Sequence, residues 1–230
     1  DFGAPAPRVK GRVRAMEGGF SGGTAASLKA TMAAAAKNPR VIKLLTDPFS
    51  LTPGFEGPDQ PKGLMPHVDD ALDSWVAPFI MATINTKNVH RTNHLLSHPY
   101  GTDFRYDEMV VTSPGEMGKQ AAEMMAKANP LAGDKGPKPG EGPSKEDREN
   151  GFYDLLFIGE YPDGRSLRYA VKGDRDPGYG STCRMIAETA ILLSERPSSG
   201  DGGVWTPGAL LGSQLAARLE ERAGLTFEAE

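Results

Sequence analysis

Residues able to do chemistry cluster in three short stretches of this 230-residue chain. The first is "GGFSGGTAASL" (18–28), where glycines and Ser21 separate a basic, strand-like run from an alanine-rich segment. Backbone N–H groups at such a helix entrance can face an anion. Neither nucleotide fingerprint fits, however. A dinucleotide turn needs glycines at i, i+2 and i+5, and Phe20 or Ser21 stands where the second glycine belongs. A phosphate loop needs Gly-Lys-Ser/Thr, and Gly23-Thr24 lacks the lysine. The stretch reads either as a close-packing turn or as a ligand contact through Ser21 and Gly22.

The second stretch, "NTKNVHRTNHLLSHPYGTDFRY" (85–106), gathers Asn85, Asn88, His90, Arg91, Asn93, His94, His98, Tyr100, Arg105 and Tyr106. On a helix, Asn85 and Asn88 share one face and Lys87, Arg91 and His94 another. Following the apolar "PFIMATI", this polar surface reads as a wet pocket wall or as a solvated helix face. His90 and His94 have i,i+4 spacing suited to a metal, without the acidic partner of HExxH. No metal is expected. The third stretch is "GDRDPGYGST" (173–182), where Asp174, Asp176, Tyr179 and Ser181 cluster at a helix entrance: Tyr179 reads as the candidate catalytic proton donor or as a ring packed over the helix end, and Ser181 as a candidate helix cap and ligand contact. No Gly-x-Ser-x-Gly elbow accompanies them.

Elements must position these residues. "PRVKGRVRAM" (7–16) alternates valine with basic residues, which predicts an antiparallel strand with one wet face. Ser21 or Thr24 then caps a helix that Pro39 stops. Residues 46–66 are Pro- and Gly-rich and predict an irregular excursion. The pattern over 67–98 predicts helix on both sides of Pro78, with Pro78 opening the second at its first turn. A strand over 104–113 follows, then a helix to about 129 entered by a Ser113–Glu116 capping box. The Pro/Gly-rich segment 130–150 reads as an exposed insertion. Two apolar runs flanking Pro162-Asp163-Gly164 predict a hairpin. Helices capped by Ser181 and by Thr206, the latter with Pro207 at its first position and Gly224 as its stop, complete the chain. Strands and helices mix without βαβ regularity. The expected fold class is α+β, a mixed, largely antiparallel sheet covered by helices.

Bulk properties narrow the function. The 28 glycines and 19 prolines make about a fifth of the chain, under the roughly 25–30% of low-complexity sequence, so a folded, loop-rich domain is expected. A formal charge of −4 provides no field for nucleic acid. The single Cys183 excludes an internal disulfide and fits a reducing, cytoplasmic setting. No apolar run approaches the roughly 18 residues of a membrane span.

Taken together, "GGFSGGTAASL", "PFIMATINTKNVHRTNHLL…YGTDFRYDE", "KPGEGPSKEDRENGFYDLLF", "KGDRDPGYGSTCRMIAETAILL" and "GGVWTPGALLGSQLAARLEERAGLTF" resemble the saccharopine dehydrogenase-like oxidoreductases, in the branch of trans-acting enoyl reductases. The resemblance spans nearly the whole chain, in order. It implies that residues 1–230 are a single C-terminal, substrate-side domain of an NAD(P)-dependent enzyme. On that resemblance the N-terminal Rossmann domain is expected to be missing from the chain, which opens "DFGAPAPRVK" without an initiator methionine. By the same resemblance Ser21, Gly22, Asn85, Asn88, Arg91, Tyr100, Tyr106 and Ser181 are expected to line the substrate cleft. NAD(P) is expected in the full-length protein, with no tight binding to this chain. Expected partners are the Rossmann domain, a small-molecule or acyl (lipid-precursor) substrate and a second copy of the chain. Two other readings stay open: a non-catalytic ligand-binding or dimerisation module, and a metal-dependent hydrolase using His67, His90, His94 or His98.

Overall fold

The computed structural model describes residues 3–19, 21–128, 137–138, 140–195 and 202–230. Among them the elements run β1 (Arg8–Glu17), α1 (Gly22–Lys37), α2 (Pro39–Thr46), β2 (His67–Asp69), β3 (Ser74–Pro78), α3 (Ala82–Leu95), β4 (Arg105–Val111), α4 (Gly115–Lys127), α5 (Lys145–Asn150), β5 (Phe152–Glu160), β6 (Ser166–Gly173), α6 (Gly180–Glu195), α7 (Pro207–Arg222) and β7 (Leu225–Ala229). The strands form one sheet in the order β2-β3-β4-β1-β5-β6-β7. Only β1 and β4 pair in parallel; the other pairings are antiparallel. The α+β architecture is as the sequence implied.

Local chemistry explains most of these boundaries. Gly164 N–H bonds to Tyr161 C=O and the glycine sits at φ 86°, the type I turn plus left-handed glycine of a three-residue hairpin loop. Thr206 accepts the Ala209 N–H at the start of α7, with Pro207 next. Leu211, Leu215 and Leu219 follow at one-turn spacing and are buried against Ala223 and Leu225, each contributing about 1.5–3 kcal/mol. Gly224, at φ 73°, lets the chain reverse into β7.

Several sequence expectations are overturned. β1 is a central strand rather than a wet-faced one, and its basic side is drawn inward at Arg12, which is buried between Asp69 (2.7 Å) and Asp107 (2.9 Å). Residues 67–78 form the β2–β3 hairpin rather than a helix, because Val76 and Ala77 are fully buried against β4 and Asp69 caps the turn by accepting Ala71 N–H. Pro78 therefore ends a strand. Pro39 opens α2, with Asn38 as its cap, instead of only stopping α1. The Ser113–Glu116 capping box does not form, since Pro114 itself is the cap residue of α4. A capping box occurs instead at Ser144 and Asp147, inside the segment read as an insertion; residues 129–136 and 139 of that segment's surroundings lie outside the described residues. β7 was not foreseen.

Cross-strand partners place the helices. Val171, Leu155 and Val13 are successive neighbours on one face, and Val171 packs with α7. On that same face α3 packs against β4. The helices thus cover the two ends of this face and leave its centre, over β1 and β5, open.

Candidate functional site

The uncovered centre is a cavity of about 550 Å³, within the range of small-molecule sites. Its floor is Gly11 and Val13 of β1 with Leu155 and Phe157 of β5. Met81 from the turn before α3 and Met185 of α6 stand at its sides. Its lining is mostly apolar. A second cavity of about 490 Å³ lies between α3 and the excursion at residues 45–64. Phe79 and Glu108 line both.

Glu108 on β4 is the chemical focus. One carboxylate oxygen accepts the Tyr106 hydroxyl at 2.7 Å and the other accepts Asn85 Nδ2 at 2.8 Å. Tyr106 and Glu108 are two residues apart on a strand, so both project from one face. Asn85 reaches them from the first turn of α3. Gly11 makes the arrangement fit: a Cβ there would lie 2.9 Å from both Glu108 Cγ and Tyr106 Oη. Burial pushes the Glu108 carboxyl above the usual carboxylate range; the bonds from Tyr106 and Asn85 oppose this, and the neighbouring Asp107 charge adds to it. Burial and the same carboxylate raise the Tyr106 phenol well above 10. A buried carboxyl with raised proton affinity, at the edge of an apolar cavity, can hold a proton and present it to a polar group of a ligand. Among these three, sequence reasoning selected Asn85 and Tyr106 but missed Glu108. The available signal was the i,i+2 pairing of a tyrosine with a glutamate ahead of the apolar Met109–Val111 end of the strand.

The two glycine-rich turns meet at Asp176, which is fully buried. Its carboxylate accepts four backbone N–H groups: Gly19 (3.2 Å) and Gly178 (3.0 Å) on one oxygen, Tyr179 (2.7 Å) and Gly180 (2.9 Å) on the other. Burial alone would raise this carboxyl, and the four N–H groups outweigh it and hold it below the ordinary value. Asp176, not Ser181, therefore occupies the N-terminus of α6. Gly18 packs so closely that a Cβ would come within 2.4 Å of the Asp176 carboxylate. These N–H groups serve an internal anion, so the residues present do not fit the pyrophosphate of a dinucleotide. Gly18, Gly19 and Gly178 still form part of the cavity wall.

Comparison with known proteins gives the chemistry a context. A Mycobacterium tuberculosis (strain H37Rv) protein provisionally named a trans-acting enoyl reductase is 33% identical over 94% of this chain. The trans-acting enoyl reductases of Mycobacterium bovis (strain BCG) and Mycobacterium ulcerans are each 30% identical over 86% and 87% of it. This chain resembles trans-acting enoyl reductases. It spans 58% of the first relative's length and 54% of the other two. No family profile matches the chain, and no solved structure matches it significantly.

In this relative of the trans-acting enoyl reductases the remaining sequence-selected residues fall in different places. Ser21 lines the main cavity and caps α1 by accepting Thr24 N–H; Gly22 is buried and donates to Glu141 C=O. Asn88 is exposed and bonds within its own helix to Ile84 C=O. Arg91 ties α3 to its surroundings through Leu51 C=O and Val204 C=O. Tyr100 packs on Phe104, with Asn93 accepting its N–H. Ser181 is buried and pairs with the Tyr153 hydroxyl at 2.9 Å. Tyr179 lines a separate cavity on the far side of its loop and lies against Gly142. His90 and His98 pack on Phe49 and Phe55, and His94 on His98. Burial pushes His90 down to about 4. Among the described residues no group of three or more His, Cys, Asp or Glu is arranged to hold a metal, and no helix is long and apolar enough to cross a membrane.

Proposed function

We propose that this chain is the substrate-binding part of an NAD(P)-dependent oxidoreductase of the trans-acting enoyl reductase kind, in the saccharopine dehydrogenase-like class. The nucleotide site lies in sequence beyond it. The cavity over β1 and β5 carries this reading, because it joins an apolar chamber to one buried polar cluster. Such a chamber takes an apolar, acyl-type substrate, excludes water from it and aligns its polar group against Glu108. Hydride chemistry belongs to the nicotinamide, and the engagement of both glycine turns by Asp176 supports placing that cofactor elsewhere in the whole protein.

The test is a pair of titrations on the chain as it stands. NADPH, followed by nicotinamide fluorescence, is expected to show no saturable binding below millimolar concentrations. An apolar enone is expected to bind saturably, and Leu155→Trp, which fills the cavity floor, to abolish that binding. Micromolar NADPH binding would overturn the division of labour.

A second reading, a module for self-association, is favoured by one observation. The sheet surface beside the cavity continues through Val9, Leu167 and Tyr169, of which Leu167 and Tyr169 are exposed. Apolar patches of this kind favour association, and light scattering at rising concentration should show a dimer that Leu167→Lys weakens.

A further inference from the structure

We propose that the Glu108 carboxyl is the group in this cavity that meets a ligand's carbonyl oxygen, donating a hydrogen bond to it from Oε1, while Tyr106 and Asn85 hold it in position. The inference rests on the reading of the cavity as a substrate chamber.

Elimination supports it first. Every other polar side chain lining the cavity has at least one partner within the protein, and Glu108 is the one carboxyl among them. Arg12 is bound to Asp69 and Asp107. Ser21 and Thr24 are bound to each other in the cap of α1. Tyr153 is bound to Ser181, and Thr182 to Pro177 C=O. Asn85 donates to Glu108 itself.

Hydrogen-bond geometry supports it second. The Asn85 amide nitrogen can only donate, so the Glu108 oxygen facing it stays an acceptor. The carboxyl proton therefore belongs on the other oxygen, beside Tyr106. A hydroxyl both donates and accepts, so Tyr106 can hold that oxygen in either protonation state. While the oxygen takes the Tyr106 hydrogen, its own proton is free to point at a ligand. Glu108 is 9% exposed and Tyr106 3%, so water competes weakly there.

The charges around Glu108 are of both signs. On β4, Asp107 is adjacent and is paired with Arg8 and Arg12. Arg12 of β1 and Tyr153 of β5 share the main cavity. Across the second cavity stand Asp47, Glu56, Asp59 and Lys62 of the excursion and Lys87 of α3. Lys87 is itself tied to Leu45 C=O and Thr83 C=O.

The experiment uses 4-dimethylaminobenzylideneacetone, an enone dye whose absorption moves to the red when its carbonyl accepts a hydrogen bond, together with the alcohol made by reducing that carbonyl. The dye is expected to bind the wild-type chain with a red shift. That shift fades as pH rises, because ionisation removes the donor. Glu108→Gln keeps a neutral donor, so its red shift should persist without pH dependence. Glu108→Leu should lose the shift and weaken dye binding about tenfold, with alcohol binding unchanged. Tyr106→Phe should move the pH at which the shift fades, a readout that a purely structural role would leave alone. A red shift that survives Glu108→Leu, or one that does not depend on pH in the wild type, overturns the assignment. Dye and alcohol binding equally with no shift overturns Glu108 and spares the chamber. If neither binds, the chamber reading falls and this inference with it.

Discussion

Replacing Asp176 by asparagine should be among the most destabilising single-atom changes available to this fold. The substitution keeps one oxygen and sets an amide NH2 against two of the four backbone N–H groups now facing the carboxylate. Two hydrogen bonds to a charged acceptor are lost, at about 1.5–3 kcal/mol each. The negative charge at the N-terminus of α6 also goes, at about 0.3–1 kcal/mol. The expected cost is thus about 3–7 kcal/mol. With a urea slope of about 2–3 kcal/mol per M, the unfolding midpoint should fall by about 1–3.5 M. Urea titrations followed by circular dichroism measure it. Asp174→Asn is the control, because that side chain is 58% exposed; its effect should stay within about 0.5 kcal/mol.

The same prediction has a sign in pH. The folded Asp176 carboxyl lies below its ordinary 3.8. Its stabilisation is therefore complete above that value and is lost as pH falls through the folded one. Wild type and Asp176→Asn should differ fully at neutral pH and converge in acid. A midpoint shift under about 0.3 M, or a difference undiminished in acid, would refute the view that this carboxylate clamps the two turns.

Three further outcomes follow from the same geometry. Arg12→Leu leaves Asp69 and Asp107 buried without their shared cation and should cost about 3–5 kcal/mol, again read by urea unfolding; Asp69→Asn in addition should bring partial recovery. Gly11→Ala forces a methyl against Glu108 and Tyr106, which should cost about 1–3 kcal/mol and erase the pH dependence of the enone dye's shift. Asn85→Ala should weaken dye binding severalfold, while Asn88→Ala should leave it unchanged, since Asn88 bonds only along its own helix; titration of the two variants side by side decides this.

What could be read from the sequence was mostly what neighbours in the chain decide. The Pro162–Gly164 turn, the Thr206 cap and the Gly224 stop each rest on residues a few positions apart, and each forms as expected. The failures have a common cause in distant partners. "VDDALDSWVAP" carries helix-compatible alanine and leucine, yet β4 offers a sheet edge to Val76 and Ala77, and their burial overrides local preference. Arg12 looked solvent-facing by alternation, but aspartates at positions 69 and 107 draw it inward. No period in the sequence of β1 reports either partner.

The glycine turns show this limit most sharply. A glycine-rich helix entrance advertises donors, and donors require an anion, but local sequence cannot say whose. Here the N–H of Gly19 finds its acceptor at Asp176, 157 positions along the chain, and the same carboxylate supplies the entrance of α6. An internal anion held by the fold has a large advantage over a dissolved one, because it pays no translational entropy on binding. A turn satisfied in this way becomes a rigid wall. That leaves recognition to the polar cluster of the cavity, where Glu108 meets Tyr106 and Asn85. If the carboxylate is shortened away in Asp176→Ala, the vacated N–H groups should donate to a sulfate from solution, and added sulfate should restore part of the lost stability relative to chloride at equal ionic strength. Equal stability in the two salts would mean that the turn collapses without its carboxylate, and that the donors are held in place by Asp176 rather than merely occupied by it.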